Sequence, residues 1–580
     1  MNLLGRREQA IPRPELESLP AADKGAVPRD DHVEFVAAMG LLSVDAPRGI
    51  ELDGQRPPLE QDGKTLAVRT GNALDALGNG ELHCRNSPED VGYRVERASR
   101  RHYFSTMRLY DNPVDANGKP LGQTPADLLL DAARRGIRYR ETLDARPVAP
   151  TRAAIAALNR LRVPLPEGGA DAGEVIALLD EVGSPATVTM TGGRYFGFVN
   201  GSSLPVTVAS NWLATAWDQN CALHAMSPVA AVIEQIALGW TLDVLRLPPQ
   251  SGGAFVVGAT TANFTALAAA RHTVLERAGW DVDNDGLFGA PPITVVVGQE
   301  VHATVRRTLG LLGLGRSRTI EVAVDGQGRI RPEGLPNVTG PVIACIQAGN
   351  VNTGAFDPAG PICAWAKARD AWVHVDGAFG LWGRALPSLG RFTDGYELAD
   401  SWATDAHKWL NVPYDCGIAM VKDEAALRAA MAMTAAYLPP SGVRDPMHYS
   451  PDGSRRARAV DVWAALHHLG RSGVATLVAR CCHHAQRMAS LLRAAGHEVL
   501  NDVELNQVLV AFGDDATTAR VIEGVQAAGV CWCGGTRWQG RDAMRISVSS
   551  WATTDLDVDQ SAASIVSVAA AIRSSQTGAG

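Results

Sequence analysis

The stretch Ala371-Trp372-Val373-His374-Val375-Asp376-Gly377-Ala378-Phe379-Gly380 decides how this chain folds. An apolar run of strand length ends in an acid and then in small residues. A strand this uniformly apolar is one buried on both faces, as in a parallel sheet covered by helices. Similar short runs stand at 253–257, 293–297, 342–347 and 417–421. Amphipathic stretches between them, at 262–278 and 305–312, read as helices. Strands alternating with helices predict an α/β fold with a mainly parallel sheet, whose ligands bind at the carboxyl ends of the strands. Helical patterning begins near 125, in Ala126-Asp127-Leu128-Leu129-Leu130-Asp131-Ala132-Ala133. Beyond about 470 the order changes to a long helix at 474–494, strands near 506–512 and 543–549, and a closing helix at 557–572. That is the pattern of a smaller α+β domain.

The chain has 580 residues, which is too long for one core and predicts two or three domains. The divisions expected are an N-terminal extension over 1–105, rich in Pro, Gly, Arg and Asp and partly flexible, a helical segment over 106–190, a large domain over 191–465 and a small C-terminal domain over 466–580. A formal charge of −8 disfavours a nucleic-acid partner, which needs a basic surface. Apolar stretches fall well short of a membrane span, which takes roughly 20 residues. The start, Met1-Asn2-Leu3-Leu4-Gly5-Arg6-Arg7-Glu8, lacks the apolar core of a secretory signal. Nine scattered cysteines read as reduced thiols, so the expected location is cytoplasmic.

The chemistry sits in two places. Asp405-Ala406-His407-Lys408-Trp409-Leu410-Asn411 carries a lysine 32 residues after Asp376. An amine able to form an imine, and a carboxylate able to hold the proton of a pyridine nitrogen, are what pyridoxal phosphate requires. Without such a ligand, burying an Asp and a Lys would carry a large desolvation cost. Two weaker signals agree. Gly252-Gly253-Ala254-Phe255-Val256-Val257-Gly258-Ala259-Thr260-Thr261 reads as strand, small-residue turn and helix start, which aims free N–H groups at an anion such as the cofactor phosphate. His302, just past a strand, can stack a flat imidazole on a planar ring. Taken singly, each of these residues reads equally well as a cap, turn or surface group.

Together and in this order, the four signals resemble the group II pyridoxal-phosphate-dependent amino acid decarboxylases, which include the aromatic amino acid, glutamate, diaminobutyrate and cysteine sulfinate enzymes. The resemblance runs from about 125 to 573 and takes in Tyr195-Phe196-Gly197-Phe198-Val199, Trp217-Asp218-Gln219-Asn220, Ala348-Gly349-Asn350-Val351-Asn352-Thr353-Gly354-Ala355-Phe356-Asp357 and Ser454-Arg455-Arg456-Ala457-Arg458. It implies the aspartate aminotransferase (type I) fold and a homodimer with active sites at the subunit interface. By the same resemblance Lys408 is the Schiff-base lysine, Asp376 the pyridinium partner and His302 the stacking residue. Ala259 and Thr260 form the phosphate turn, Ala378 lines the cofactor face, and His407 lies beside the imine and phosphate. Asn350 and Asp405 join the cofactor-binding set, although Asp405-Ala406 stands where Asn-Pro or Asp-Pro is frequent and Asn350-Val351 replaces a frequent Thr-Thr. Counting back from Arg455-Arg456, the loop tyrosine of aromatic decarboxylases falls near Pro446. Tyr449 is the expected proton donor to the carbanion, with Tyr437 and His448 as alternatives.

The expected reaction is decarboxylation of an L-amino acid to its amine and carbon dioxide. An aldehyde synthase or an aminotransferase is the rival outcome on the same cofactor, and a non-catalytic cofactor-binding homologue is the rival outside enzymes. Arg545 is a further candidate for the site. No metal is expected. Asp281-Val282-Asp283-Asn284-Asp285-Gly286 opens like a calcium loop but has Pro292 in place of the closing Glu. Cys481-Cys482-His483-His484 lacks the helical spacing of ligands on one face.

Overall fold

A computed structural model describes residues 124–433 and 442–577, all within one compact unit, Arg100–Gly580. The expected extension over 1–105 and Tyr437 lie outside the described residues.

The chain enters through helix α1 (Pro125–Glu141), whose start is fixed by a reciprocal capping pair between Thr124 and Asp127. Helices α2 (Pro205–Trp217) and α3 (Pro228–Val244) follow, each opened by a proline at its first helical position. Then comes the alternation read from the sequence: β1 (Gly252–Val256), helix α4 (Ala259–Arg277), β2 (Thr294–Gly298), helix α5 (Ala303–Leu311), β3 (Thr319–Val322), β4 (Val342–Gln347), β5 (Trp372–Asp376), β6 (Ser401–Asp405), β7 (Gly417–Val421) and helix α6 (Glu424–Met431). The seven strands form one sheet in the order β1-β7-β6-β5-β4-β2-β3. β7 runs antiparallel to both neighbours, and the other pairings are parallel, so the expected mainly parallel α/β sheet is present.

Five expected strands appear within one or two residues of their predicted ends. β3 was not anticipated, because this edge strand leaves Ile320 and Glu321 exposed and carries no continuous apolar run. The face of β5 with Trp372, His374 and Asp376 turns toward α4, and Val373 and Val375 enter the core on the other side. Helix α4 is wedged against the sheet by Ala262, Ala266, Leu267, Ala269 and Ala270, all fully buried. Small side chains there let the helix axis approach the strands closely.

Helix α7 (Arg458–Ala494) starts 16 residues before the predicted 474 and breaks at Gly470, whose φ is 60°. The expected division at 465/466 therefore falls inside this helix. A second, antiparallel sheet has the order β10 (Gly534–Trp538), β11 (Arg541–Ser547), β9 (Gln507–Ala511), β8 (Glu498–Val499). Helices α8 (Asp515–Ala528) and α9 (Asp555–Thr577) pack beside it. Among the described residues no helix is long and apolar enough to cross a membrane.

Candidate active site

Sheet register brings the predicted residues to one edge. Asp376 ends β5 and pairs with Ala403 of β6, two residues before Asp405 ends that strand. Asp405 in turn lies opposite Gly417, and Gly417 opposite Val256, the last residue of β1. The turn after β1 therefore opens beside Asp405. A Cβ placed on Gly258 would sit 3.6 Å from Asp405 Oδ1 and 3.3 Å from His407 Cε1. Gly258 also caps α4 without a side chain, so the first N–H groups of that helix point into this edge unclaimed by any cap.

Lys408 Nζ lies 3.0 Å from Asp405 Oδ2. The same oxygen is 3.7 Å from Nε2 of His407, whose Nδ1 accepts the Cys416 N–H at 3.1 Å. Burial holds the imidazole of His407 below its usual range, keeping it neutral. Asp405 Oδ1 is buried and has no hydrogen-bond partner. His302 caps α5, its Nδ1 accepting the Thr304 N–H at 3.3 Å. Burial also lowers the pKa of His302. The charge of Asp376 opposes that shift, and the charges of Lys408 and Arg545 reinforce it. His302 is thus within electrostatic reach of both carboxylates and both cations. Arg545 donates to the Val351 carbonyl at 3.4 Å, and no described carboxylate lies within ion-pair distance of it. An uncapped helix start, a lysine, two carboxylates and the His407 imidazole share one sheet edge, with His302 within electrostatic reach of it and of Arg545.

The conserved pyridoxal-dependent decarboxylase domain matches residues 185–513 of this chain. The chain belongs to the pyridoxal-dependent decarboxylase family. An aromatic-L-amino-acid decarboxylase of Bacillus atrophaeus is 26% identical over 404 residues, covering 67% of this chain and 80% of that protein. An L-2,4-diaminobutyrate decarboxylase of Rhizobium meliloti (strain 1021) is 29% identical over 348 residues, covering 57% and 67%. Oryza sativa TDC, solved with PLP and tryptamine, superposes with a TM-score of 0.72 at 21% identity over 80% of this chain and 99% of its own. At that identity the likeness is one of fold.

Pyridoxal phosphate is the cofactor of this decarboxylase, and the side chains present fit it. Gly258 leaves room and free N–H groups suited to a phosphate, and Asp376 and Lys408 are a carboxylate and an amine of the kinds that would hold the ring nitrogen and the aldehyde. Asp376 is itself steadied by the Ala378 N–H at 3.3 Å.

Tyr449 does not join this group. Its hydroxyl donates to Glu424 Oε1 at 2.5 Å, and the Arg444 guanidinium lies 3.7 Å from its ring centre. Glu424 begins α6, just past the end of β7 farthest from Gly417. Tyr449 thus sits at the opposite end of β7 from Lys408 in its own chain, about 13 Å of strand away. Counting from Arg455-Arg456 gave a position in sequence; the Glu424 carboxylate and the Arg444 cation decide where the ring packs. His448, beside Tyr449 in the turn Pro446–Tyr449, has its Nδ1 buried without a partner.

Two residues that hold Lys408 escaped the sequence reading. Asn411, buried and at φ 58°, donates to the carbonyls of Trp409 at 2.8 Å and Ser549 at 3.0 Å. Its Oδ1 accepts from the Ser202 N–H at 3.2 Å and the Trp551 N–H at 2.9 Å. A positive φ is one that Asn tolerates better than most residues, and Asn411 inside the lysine motif was the available clue. Gly201 packs so tightly on the Lys408 carbonyl that a Cβ there would lie 1.6 Å from the oxygen.

Proposed function

We propose that this chain decarboxylates an L-amino acid to its amine and carbon dioxide, with Lys408 as the lysine that carries the cofactor. When bound, pyridoxal phosphate supplies an electron sink for the pair left behind as carbon dioxide departs. Asp376 holds the proton on the ring nitrogen, and His302 covers the ring with a neutral imidazole. Arg545, lacking a carboxylate partner, is the group suited to a substrate carboxylate. Ala259, Thr260, Ala378, Asn350, Asp405 and His407 form the rest of the cofactor cradle. Asn350 fits that part: its Oδ1 accepts the Asn352 N–H at 2.9 Å, and its buried Nδ2 has no partner.

The carrying observation is the convergence of Asp376, Asp405 and Lys408 on neighbouring strand ends beside the uncapped start of α4. Incubation of the loaded enzyme with a panel of L-amino acids, scoring carbon dioxide, amine, aldehyde and peroxide together, tests the reading. Amine equal to carbon dioxide without peroxide supports it. Aldehyde and peroxide in equal amounts overturn it in favour of an aldehyde synthase.

A homodimer fits the exposed apolar surface of the N-terminal half. Helix α1 buries none of its residues although it carries Leu129 and Leu130, and Trp212, Leu213 and Trp217 of α2 are 45%, 56% and 41% exposed. A second copy would cover such faces. Sedimentation at micromolar concentration checks this, and a monomer would sink it. A cytoplasmic location agrees with the eight described cysteines, all of them free and buried.

A further inference from the structure

We propose that the Tyr414 hydroxyl delivers the proton that replaces carbon dioxide on the substrate's α-carbon. The inference rests on the decarboxylation reading above and deepens it by naming the group that completes the reaction.

Loss of carbon dioxide leaves an electron pair on carbon, and an amine forms only when an acid beside that carbon supplies a proton. Tyr449, expected in that part, sits at the far end of β7 with its hydroxyl on Glu424. His407 and His302 are kept neutral by burial, and each uses Nδ1 to accept a backbone N–H. A neutral imidazole is a weaker acid than a phenol. Lys408 Nζ is held by Asp405 Oδ2 at 3.0 Å. Phenols are the next acids to consider, and the described tyrosines divide into two groups. Tyr139 shares a hydrogen bond with Thr187, Tyr396 donates to the carbonyls of Gln347 and Asp357, and Tyr449 donates to Glu424. Among the described residues, Tyr195 and Tyr414 are the tyrosines whose hydroxyls make no hydrogen bond within the chain.

Both belong to the surroundings of Lys408. The Tyr414 ring lies 4.4 Å from that of His407, the residue before the lysine. Tyr195 begins the segment that leads to Gly201, which packs on the Lys408 carbonyl. They differ in access. Tyr195 is 5% exposed and stacked on Trp532 at 5.1 Å, with its hydroxyl over Gly197. Tyr414 is 49% exposed. A phenol that gives up a proton in every turnover has to regain it, and a half-exposed ring regains it from water. Asp415, next in the chain, is turned to Arg458, accepting from Nε at 2.9 Å. Burial, reinforced by the charge of Asp405, keeps Tyr414 protonated until a stronger base arrives, and a carbon base is one. Lys408 Nζ marks where the substrate's nitrogen must come, because both bind the same cofactor carbon in turn. The α-carbon is one bond from that nitrogen. In the step, the Tyr414 O–H bond breaks and its proton joins the electron pair left by carbon dioxide to make the new C–H bond. The phenolate then takes a proton from water.

The test uses the full-length loaded enzyme and the amino acid it decarboxylates fastest among the proteinogenic L-amino acids and L-2,4-diaminobutyrate. Visible absorbance of the bound cofactor and thermal melting check each variant before assay. In Tyr414→Phe, carbon dioxide is expected as a burst of about one per site, while steady amine release falls about a hundredfold. Tyr195→Phe stays within about threefold of wild type on both readouts. Amine release from Tyr414→Phe within about threefold of wild type overturns the inference. So does loss of burst and amine together, the mark of a merely structural role. A loss of about a hundredfold in Tyr195→Phe alone moves the donor to that ring and overturns it as well. Wild-type enzyme that holds the cofactor and yields no carbon dioxide overturns the decarboxylation reading itself.

Discussion

The two ends of β7 make opposite use of charge. At the Glu424 end, three side chains have found one another, although His448 Nδ1 and one Arg444 nitrogen there have no partner. Tyr449 donates to Glu424, and Arg444 covers the Tyr449 ring and donates to the Gly253 carbonyl. At the Gly417 end the protein leaves things open. Asp405 Oδ1 has no partner, and α4 begins uncapped. Satisfied polar groups rigidify a fold, whereas unsatisfied buried ones cost stability unless a ligand completes them. One strand thus joins a corner built around a buried ion-linked tyrosine to one where a buried carboxylate oxygen and a helix start face each other unmatched.

The contrast is broken most severely at Lys408. Lys408→Ala is expected to lose the cofactor's visible absorbance and to lower turnover by on the order of a thousandfold or more, read by absorbance and amine release. Asp376→Asn keeps the cofactor attached and lowers turnover by about a hundredfold, because the ring nitrogen loses its fixed counter-charge. A variant of normal rate would remove Asp376 from the site. Asn411→Ala opens the Lys408 turn and costs on the order of 2 kcal/mol in thermal or urea unfolding, with faster loss of cofactor on dialysis.

A fourth test uses pH. His374 is fully buried, with Ser401 Oγ at 2.9 Å from Nδ1 and Asn263 Oδ1 at 2.9 Å from Nε2. Burial depresses its pKa from 6.5 to about 3. Between those values the unfolded chain binds a proton that the folded one refuses, so stability falls as pH drops through that window. Urea midpoints measured across it should decline less in His374→Gln than in wild type. The smallest effect is expected from Tyr449→Phe: stability lower by about 1 kcal/mol and turnover within about threefold of wild type. A hundredfold loss of turnover with the fold intact would place the Tyr449 hydroxyl in the chemistry after all.

The sequence made much of this legible because buried parallel strands leave no alternative pattern. Runs such as 342–346 and 417–421 are apolar without interruption, Asp376 closes such a run, and Lys408 stands three residues past the end of the next strand. What stayed hidden depends on contacts between distant segments. Asn411 joins Ser202, Trp409, Ser549 and Trp551, and nothing in local spacing announces such a hub. The packing of Tyr449 was hidden for a related reason. Its distance from Arg455 along the chain is fixed, but the Glu424 carboxylate that captures its hydroxyl lies 25 residues away. Ile320 and Glu321 of β3 face solvent, so that strand lacked the periodicity that betrayed its neighbours.

The Asn411 side chain has one more consequence. It fastens the lysine turn to Ser549 and Trp551, more than 130 residues downstream, past the second sheet. A protein cut short before Ser549 would keep Lys408, Asp376 and His302, yet lose two of the bonds by which Asn411 clamps that turn. The strand-to-helix stretch at Ser549 and Trp551 thereby acts as a latch on the turn that carries Lys408.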